Sequence, residues 1–338
     1  MGGPKQQRGG FSCRNPRKVM ARRWSLLALV AALVAGCVAH VPLAGDYTGP
    51  TPLPEGSESA GVTEPRVVAS SEEERSRPHF TVRRYALPSA AEGRPTIEFE
   101  FYEPQTEGQG PLVVLLPIFN GQLSITRYFA RYFVNRGWSA IVVDRDRDLL
   151  QEIDHLNEAV RANITDYRRV LDWAEEQSRV DVGRIGLFGI SFGAMDAVML
   201  MALDHRIKVL VAAMAGGDFS DVLMNTAYRP VSRTVDEMLE DTGLTRAALR
   251  MRFEQRLTTD PLRLAPYVDA EHVLLILTRA DSIVPFPAQE ALRRRMGSPE
   301  SLYLPTGHRT SVLFFPRLRA QAYEFFARQF GETPVGDD

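Results

Sequence analysis

The 338-residue chain carries 40 basic and 42 acidic side chains, but the first 36 residues hold seven of the basic ones and none of the acidic. From Cys37 onward the chain therefore has 33 basic against 42 acidic residues, a net charge of −9, which argues against nucleic acid as a partner and against polybasic attachment to anionic lipid. With two cysteines in all, Cys13 and Cys37, no disulfide framework holds the folded part. A hydrophobic core, which about 250 residues can supply, must do so.

In chain order, Arg22 and Arg23 precede an 11-residue apolar run, Trp24 to Val34. That run is short against the roughly 20 residues of a membrane-spanning helix and fits a signal-peptide core. It closes on Leu33-Val34-Ala35-Gly36-Cys37, which resembles a bacterial lipobox. The resemblance implies that residues 1–36 are a discarded leader and that Cys37 is lipidated with several acyl chains. One chain alone anchors only marginally. An uncleaved anchor is the alternative, because the apolar stretch nearly continues to Val41. Residues 1–19 are long and polar for a leader, so Met20 stands beside Met1 as the start of translation. N-myristoylation of Gly2 fails, because position 6 is Gln6 rather than Ser or Thr. Among bacterial lipoproteins an acidic residue after the cysteine marks inner-membrane retention. Val38 is not acidic, so the expected location is the bacterial cell envelope, at the outer membrane and facing the periplasm. Residues 37–79, broken by Pro42, Gly45, Gly49, Pro50, Pro52, Pro54, Gly56, Gly61 and Pro65, read as a flexible linker that supplies reach or is merely tolerated length.

The globular part is expected over residues 80–332, with 333–338 as a tail. Phe80–Leu87 and Thr96–Tyr102 read as strands, the second alternating Ile97, Phe99 and Phe101 with Glu98 and Glu100, which suits an antiparallel start with one face buried. Leu112–Leu116, Trp138–Val143, Arg184–Ile190, Ile207–Ala213 and His272–Thr278 are near-continuous apolar runs of the kind found in parallel strands covered on both faces. A short strand, Ser301–Leu304, follows. Helical patterns fill the intervals at about Ser124–Arg136, His155–Gln177, Phe192–Leu203, Pro287–Met296 and Ser311–Phe330. The predicted fold class is α/β, a doubly wound and mostly parallel sheet of about eight strands. Residues 219–270 interrupt the alternation with two further helical patterns, about Val231–Glu240 and Thr245–Leu257. They read as a helical cap over the site, or as helices covering a sheet edge.

The turn Gly189-Ile190-Ser191-Phe192-Gly193 joins the strand Arg184–Ile190 to the helix Phe192–Leu203. Strand, Gly-x-Ser-x-Gly turn and helix together make a nucleophile elbow, which exposes the serine Oγ at a helix N-terminus. Glycines flank it because a Cβ there would strike the neighbouring strand or helix. Asp281 lies just beyond the strand His272–Thr278, and His308 lies in the loop after Ser301–Leu304. Chain order Ser, Asp, His is that of the α/β-hydrolases. The chain from about Phe80 to Phe330 resembles that superfamily, most closely its dienelactone-hydrolase and esterase-like members. The runs Asp181-x-x-Arg184-Ile185-Gly186 and Asp204-His205-Arg206-Ile207-Lys208 are also similar to that group.

The resemblance implies that Ser191 is the nucleophile, His308 the general base and Asp281 the residue that orients His308. Asp218, in Gly216-Gly217-Asp218-Phe219, is the rival acid, because some relatives place the acid one strand earlier. Backbone N–H groups of Phe192 and of Phe119, with Ile118 as the second choice, would form the oxyanion hole. Pro117 has no N–H to offer. Phe119, Phe192 and Phe219 would crowd the mouth and favour an apolar acyl group, or serve only as packing. No spacing supports a metal site, and no phosphate-cradling loop or other cofactor site is evident. The expected protein is a lipid-anchored, monomeric serine hydrolase that cleaves a small-molecule carboxylic ester. A thioesterase, peptidase or acyltransferase would use the same residues. A non-catalytic binding module of the same fold is the remaining alternative.

Overall fold

The computed structural model describes residues 38–54, 70–90, 95–144 and 155–334. The leader, the alternative start Met20, the lipidation candidate Cys37 and residues 335–338 of the tail lie outside the described residues. Among the described residues no helix is long and apolar enough to cross a membrane.

Ten strands form one sheet: β1 (Ala39–Val41), β2 (Ser70–Ser76), β3 (Phe80–Pro88), β4 (Thr96–Pro104), β5 (Gly110–Leu116), β6 (Ser139–Val143), β7 (Val180–Ile190), β8 (Ile207–Ala213), β9 (Val273–Thr278) and β10 (Glu300–Leu304). Their order is β1-β10-β9-β8-β7-β5-β6-β4-β3-β2. Neighbours from β10 through β6 are parallel, and β4, β3 and β2 extend the sheet antiparallel. This is the expected α/β class, with ten strands where the hydrophobic pattern predicts about eight.

Both additional strands fall within residues 37–79, where the sequence reads as a linker. Residues 40–54 lie along the domain: Ala44 N–H donates to the Ser298 carbonyl (3.1 Å) and Thr51 N–H to the Pro266 carbonyl (2.8 Å). Tyr47 anchors the segment, its hydroxyl donating to Asp269 Oδ1 (3.2 Å) and accepting from Ala270 N–H (2.9 Å). Its ring fills the space beside Gly297 (φ +88°), where an added Cβ would lie 2.6 Å from the ring. One aromatic residue with two polar partners orders a stretch whose proline and glycine content otherwise disfavours structure.

Nine helices are present among the described residues, numbered α1 (Leu123–Val134), α2 (Leu156–Glu175), α3 (Phe192–Leu203), α4 (Phe219–Asn225), α5 (Arg229–Thr242), α6 (Arg246–Arg256), α7 (Pro261–Leu264), α8 (Phe286–Arg295) and α9 (Phe315–Gln329). Alternate residues of β7 serve the two faces. Phe188 packs on Phe129 and Phe133 of α1, and a Cβ at Gly186 would meet Phe326 of α9 at 2.6 Å. Ile185 and Leu187 join the opposite core with Val160, Tyr167 and Val170 of α2. This two-sided burial explains why β5 to β9 read as continuous apolar runs.

Strand β4 departs from simple alternation, because Glu100 is 2% exposed. Arg127 from α1 holds its carboxylate through two bonds of 2.8 Å, and Tyr102 OH donates a third at 2.9 Å. Burial raises the Glu100 pKa, but the Arg127 bonds and charge outweigh it and leave the carboxyl below its usual range. Asp204, just after α3, follows the same pattern: burial raises its pKa, and Arg206 holds it lower overall. Arg206 also reaches Asp172 (2.6 Å) and Glu175 (3.0 Å) on α2, so the Asp204–Arg206 pair fastens the far end of the helix that begins beside Ser191.

Chain order along the sheet reverses at β5, which lies between β6 and β7. Loops after β5 and β7 leave on opposite sides there and open a crevice at the C-terminal strand ends, where open α/β sheets take their ligands.

Candidate active site

Ser191 occupies the turn between β7 and α3 with φ 58° and ψ −124°, a conformation that side chains seldom adopt. Its N–H donates to the Ala213 carbonyl (2.8 Å), so the strained turn is held by the end of β8. Both neighbouring glycines are required by contact. A Cβ at Gly189 would come within 2.4 Å of the Gly193 carbonyl oxygen and 2.6 Å of Ala194. One at Gly193 would meet the Leu116 and Pro117 carbonyl oxygens at 2.6 and 2.7 Å. These obstacles are backbone atoms, which cannot rotate aside, so the elbow and the end of β5 approach as closely as two chains can.

Asp281 lies in the loop after β9, with its side chain fully buried. Oδ1 accepts from the N–H groups of Ile283 (2.9 Å) and Val284 (3.0 Å). Oδ2 accepts from Thr278 Oγ1 (2.7 Å), from Gln289 Nε2 (3.1 Å) and from His308 Nδ1 (2.8 Å). Five donors therefore fix both carboxylate oxygens and hold the side chain in one orientation. His308 follows β10, and its loop is tied to the acid loop by Ala280 N–H donating to the Thr306 carbonyl (3.1 Å). Ser311 Oγ closes the turn on the His308 carbonyl (2.7 Å). Asp281 and His308 are thus brought together from 27 positions apart. Among the described residues no hydrogen bond joins the imidazole to Ser191 Oγ.

Asp218 has a different task. With φ 62° it caps α4, its carboxylate accepting from Asp221 N–H (3.1 Å) and from Ser220 Oγ, and it pairs with Arg250 (3.6 Å). Behind it the buried Asp260 accepts from the N–H groups of Asp218 (3.1 Å), Phe219 (2.6 Å) and Leu262 (2.7 Å). Burial pushes the Asp260 carboxyl up despite these bonds. The rival acid is a helix cap, joined to α7 through Asp260.

The loop after β5 carries Phe119, whose ring meets Phe192 edge-on (5.5 Å between centroids). Phe192 stacks on Phe219 of α4 (5.8 Å), and Phe119 also meets Tyr228 (6.0 Å). The expected crowd of three aromatics forms, with Tyr228 as an unforeseen fourth. Tyr228 joins the insertion to the loop that carries Phe119, and Phe219 joins it to Phe192 at the start of α3. The insertion is pinned to the acid loop as well: Ala227 N–H donates to the Ser282 carbonyl and Thr226 Oγ1 to the Ile283 carbonyl, each at 2.7 Å.

Gln289 was not legible as a site residue. It is 1% exposed on α8. Its amide bonds Thr278 N–H through Oε1 (3.1 Å) and the Val284 carbonyl and Asp281 through Nε2 (2.8 and 3.1 Å). An isolated Gln in an amphipathic helix reads as solvated, and nothing local marks it otherwise. Among the described residues no cluster of three or more His, Cys, Asp or Glu side chains could hold a metal ion.

Comparison with known proteins agrees with this architecture. The model of the X-Pro dipeptidyl-peptidase (S15) family matches residues 85–264. A curated relative from Escherichia coli, described as an uncharacterized 31.7 kDa protein in the traX-finO intergenic region, is 32% identical over 130 residues. That alignment covers 38% of this chain and 45% of the relative, so the chain spans less than half the length of the curated relatives it matches. Among solved structures, acetyl xylan esterase 1 from a Thermoanaerobacterium species superposes with a TM-score of 0.62 at 19% identity, covering 84% of this chain and 97% of that one. The acylaminoacyl peptidase of Pyrococcus horikoshii gives 0.60 at 15% identity, covering 77% of this chain and 43% of the other. At these identities the two structures attest the fold.

Proposed function

Because the chain belongs to the X-Pro dipeptidyl-peptidase (S15) family and is a serine hydrolase of α/β-hydrolase fold, we propose that it cleaves a small-molecule carboxylic ester through Ser191, His308 and Asp281 by way of an acyl-enzyme. The observation that carries this reading is the 2.8 Å pairing of His308 Nδ1 with a fully buried Asp281 carboxylate, on the same sheet rim as a serine held at φ 58°. With Nδ1 donating to Asp281, Nε2 is left as the acceptor, which is the tautomer a general base needs.

Ser191 Oγ attacks the substrate carbonyl while its proton passes to Nε2. The oxyanion is stabilised by the backbone N–H groups of Phe192 and Phe119. The imidazolium, steadied by Asp281, returns the proton to the departing alcohol. Water, deprotonated in turn by His308, then releases the acid and restores the serine. Serine–histidine contacts are often long in unliganded sites and tighten in the Michaelis complex. The aromatic group of Phe119, Phe192, Phe219 and Tyr228 favours an apolar acyl portion.

A peptidase reading is favoured by the family's own description as X-Pro dipeptidyl-peptidases. Purified protein offered a series of p-nitrophenyl esters beside alanyl-prolyl p-nitroanilide decides between them. The ester reading expects the higher kcat/KM on a short or medium acyl ester. A higher value on the anilide would move the function to peptide cleavage.

Lipid attachment at Cys37, and with it location at the outer membrane facing the periplasm, belongs to the same proposal. It is supported by the lipobox-like Leu33-Val34-Ala35-Gly36-Cys37. Cys37→Ser is expected to shift the protein from the membrane to the soluble fraction and to remove the acyl mass. Unchanged fractionation with no mass difference would refute the anchor. On this reading the protein is a monomer, which sedimentation of the detergent-solubilised protein measures.

A further inference from the structure

Beside His308 lies an open depression of about 410 Å³. Arg229 and Arg309 both line it, together with His308, Ser282 and Thr310. Neither guanidinium group forms an ion pair or hydrogen bond among the described residues, whereas Arg127, Arg184, Arg206 and Arg250 are each held by carboxylates. No acidic side chain lines the depression. Asp281, which lies between the lining residues Ala280 and Ser282, has its side chain fully buried, is occupied by five other donors and pairs with neither arginine.

Both arginines are also held in register with the chemistry. Arg309 directly follows His308 in the chain. Arg229 opens α5, whose approach is fastened to the acid loop by the bonds of Ala227 and Thr226 to Ser282 and Ile283. An arginine in a helix's first turn opposes the macrodipole, and α5 carries no acidic residue there to offset it. Two arginines whose guanidinium groups have no carboxylate partner among the described residues therefore line one depression together with the histidine.

The position of the cavity says which part of a substrate it would take. In acyl transfer the base returns its proton to the leaving group, so what lies beside the imidazole is the alcohol portion, while the acyl portion lies toward the oxyanion donors. We propose that the depression formed by Arg229 and Arg309 is a subsite for a small oxyanion, a carboxylate or a phosphate, carried on the leaving-alcohol side of the ester. This rests on the assignment of His308 as base made above. Guanidinium groups suit either anion, because their planar forks match both bidentately. The same charge would repel a substrate with a protonated amine at that end.

The test compares aryl acetates whose leaving phenols carry a para carboxylate, phosphate, methyl ester or trimethylammonium group, with each kcat/KM divided by the hydroxide-catalysed rate of the same ester. The wild-type protein is expected to favour the anionic members over the neutral one by about tenfold and to disfavour the cationic one. Arg229→Gln and Arg309→Gln should each reduce that ratio by about threefold, the scale of an exposed charge pair, and the double variant should bring it near one. Arg229→Lys and Arg309→Lys should keep most of it. Raising ionic strength from about 0.01 M to about 1 M shortens the screening length from about 30 Å to about 3 Å and should erode the wild-type preference without any substitution. The carboxylate and phosphate esters, compared with each other, identify which anion the subsite prefers. An anion preference absent from the wild type, or unchanged in the folded double variant, overturns the subsite while turnover of the neutral ester leaves the hydrolase reading standing. No turnover of any ester, with Ser191 unlabelled by a fluorophosphonate, overturns both.

Discussion

Ser191→Ala is expected to remove labelling by a fluorophosphonate and to lower kcat on the best ester by about 10⁴- to 10⁶-fold, the range seen when a triad nucleophile is deleted. The substitution takes away one oxygen and leaves the Cβ, so the elbow keeps its form and the N–H bond to Ala213 is untouched. Ser191→Gly separates chemistry from architecture more sharply. At φ 58° and ψ −124° a residue with a Cβ is strained by about 1–3 kcal/mol, and glycine relieves part of that. The glycine variant should therefore be as inactive as the alanine variant yet unfold at higher denaturant concentration than either alanine or wild type. Strain retained at one residue, and released only by losing activity, identifies a position held for reaction rather than for stability. Residual labelling of the alanine variant at another site, with turnover preserved, would place the nucleophile elsewhere.

The elbow was legible because three signals coincide within a short stretch: an apolar strand, two glycines that collide with backbone if given a Cβ, and an apolar helix. The parallel strands were legible because burial on both faces leaves no polar positions. Edge strands escape such reading. Ala39–Val41 is only three residues long, Ser70–Ser76 is a polar run without apolar alternation, and what places both is the neighbouring edge that receives them. Glu100 breaks its strand's alternation because Arg127 arrives from a helix 27 positions away, a partnership no local pattern encodes. The choice between Asp218 and Asp281 was also non-local. Both follow strands and both precede helices. Only three-dimensional pairing separates an aspartate whose oxygens cap α4 from one whose oxygens converge on an imidazole. Gln289 and Tyr228 were invisible for the same reason, since each acts through partners on other elements.

Asp281→Asn is expected to lower kcat by about 10⁴-fold, the cost of an imidazole held in the wrong tautomer. Every neighbour of this carboxylate is a donor. Oδ1 faces the N–H groups of Ile283 and Val284, and Oδ2 faces Thr278, Gln289 and His308. An asparagine must present its NH₂ to one of these sets. Turned toward the backbone pair, it opposes two N–H groups that cannot rotate. Turned toward the other three, it forces His308 to accept at Nδ1 and to carry its proton on Nε2, where the base should be empty. The second arrangement is cheaper, because Thr278 and the imidazole can reorient while the backbone cannot. The loss should therefore fall on kcat with KM little changed, and thermal unfolding should shift by about 1–3 kcal/mol at most, the range for a buried group left unsatisfied. Asp218→Asn is the control. A cap is preserved by asparagine, so its rate should stay within about threefold of wild type. If instead the Asp218 variant lost the rate and the Asp281 variant kept it, the acid would lie one strand earlier and the 2.8 Å contact with His308 would be structural alone.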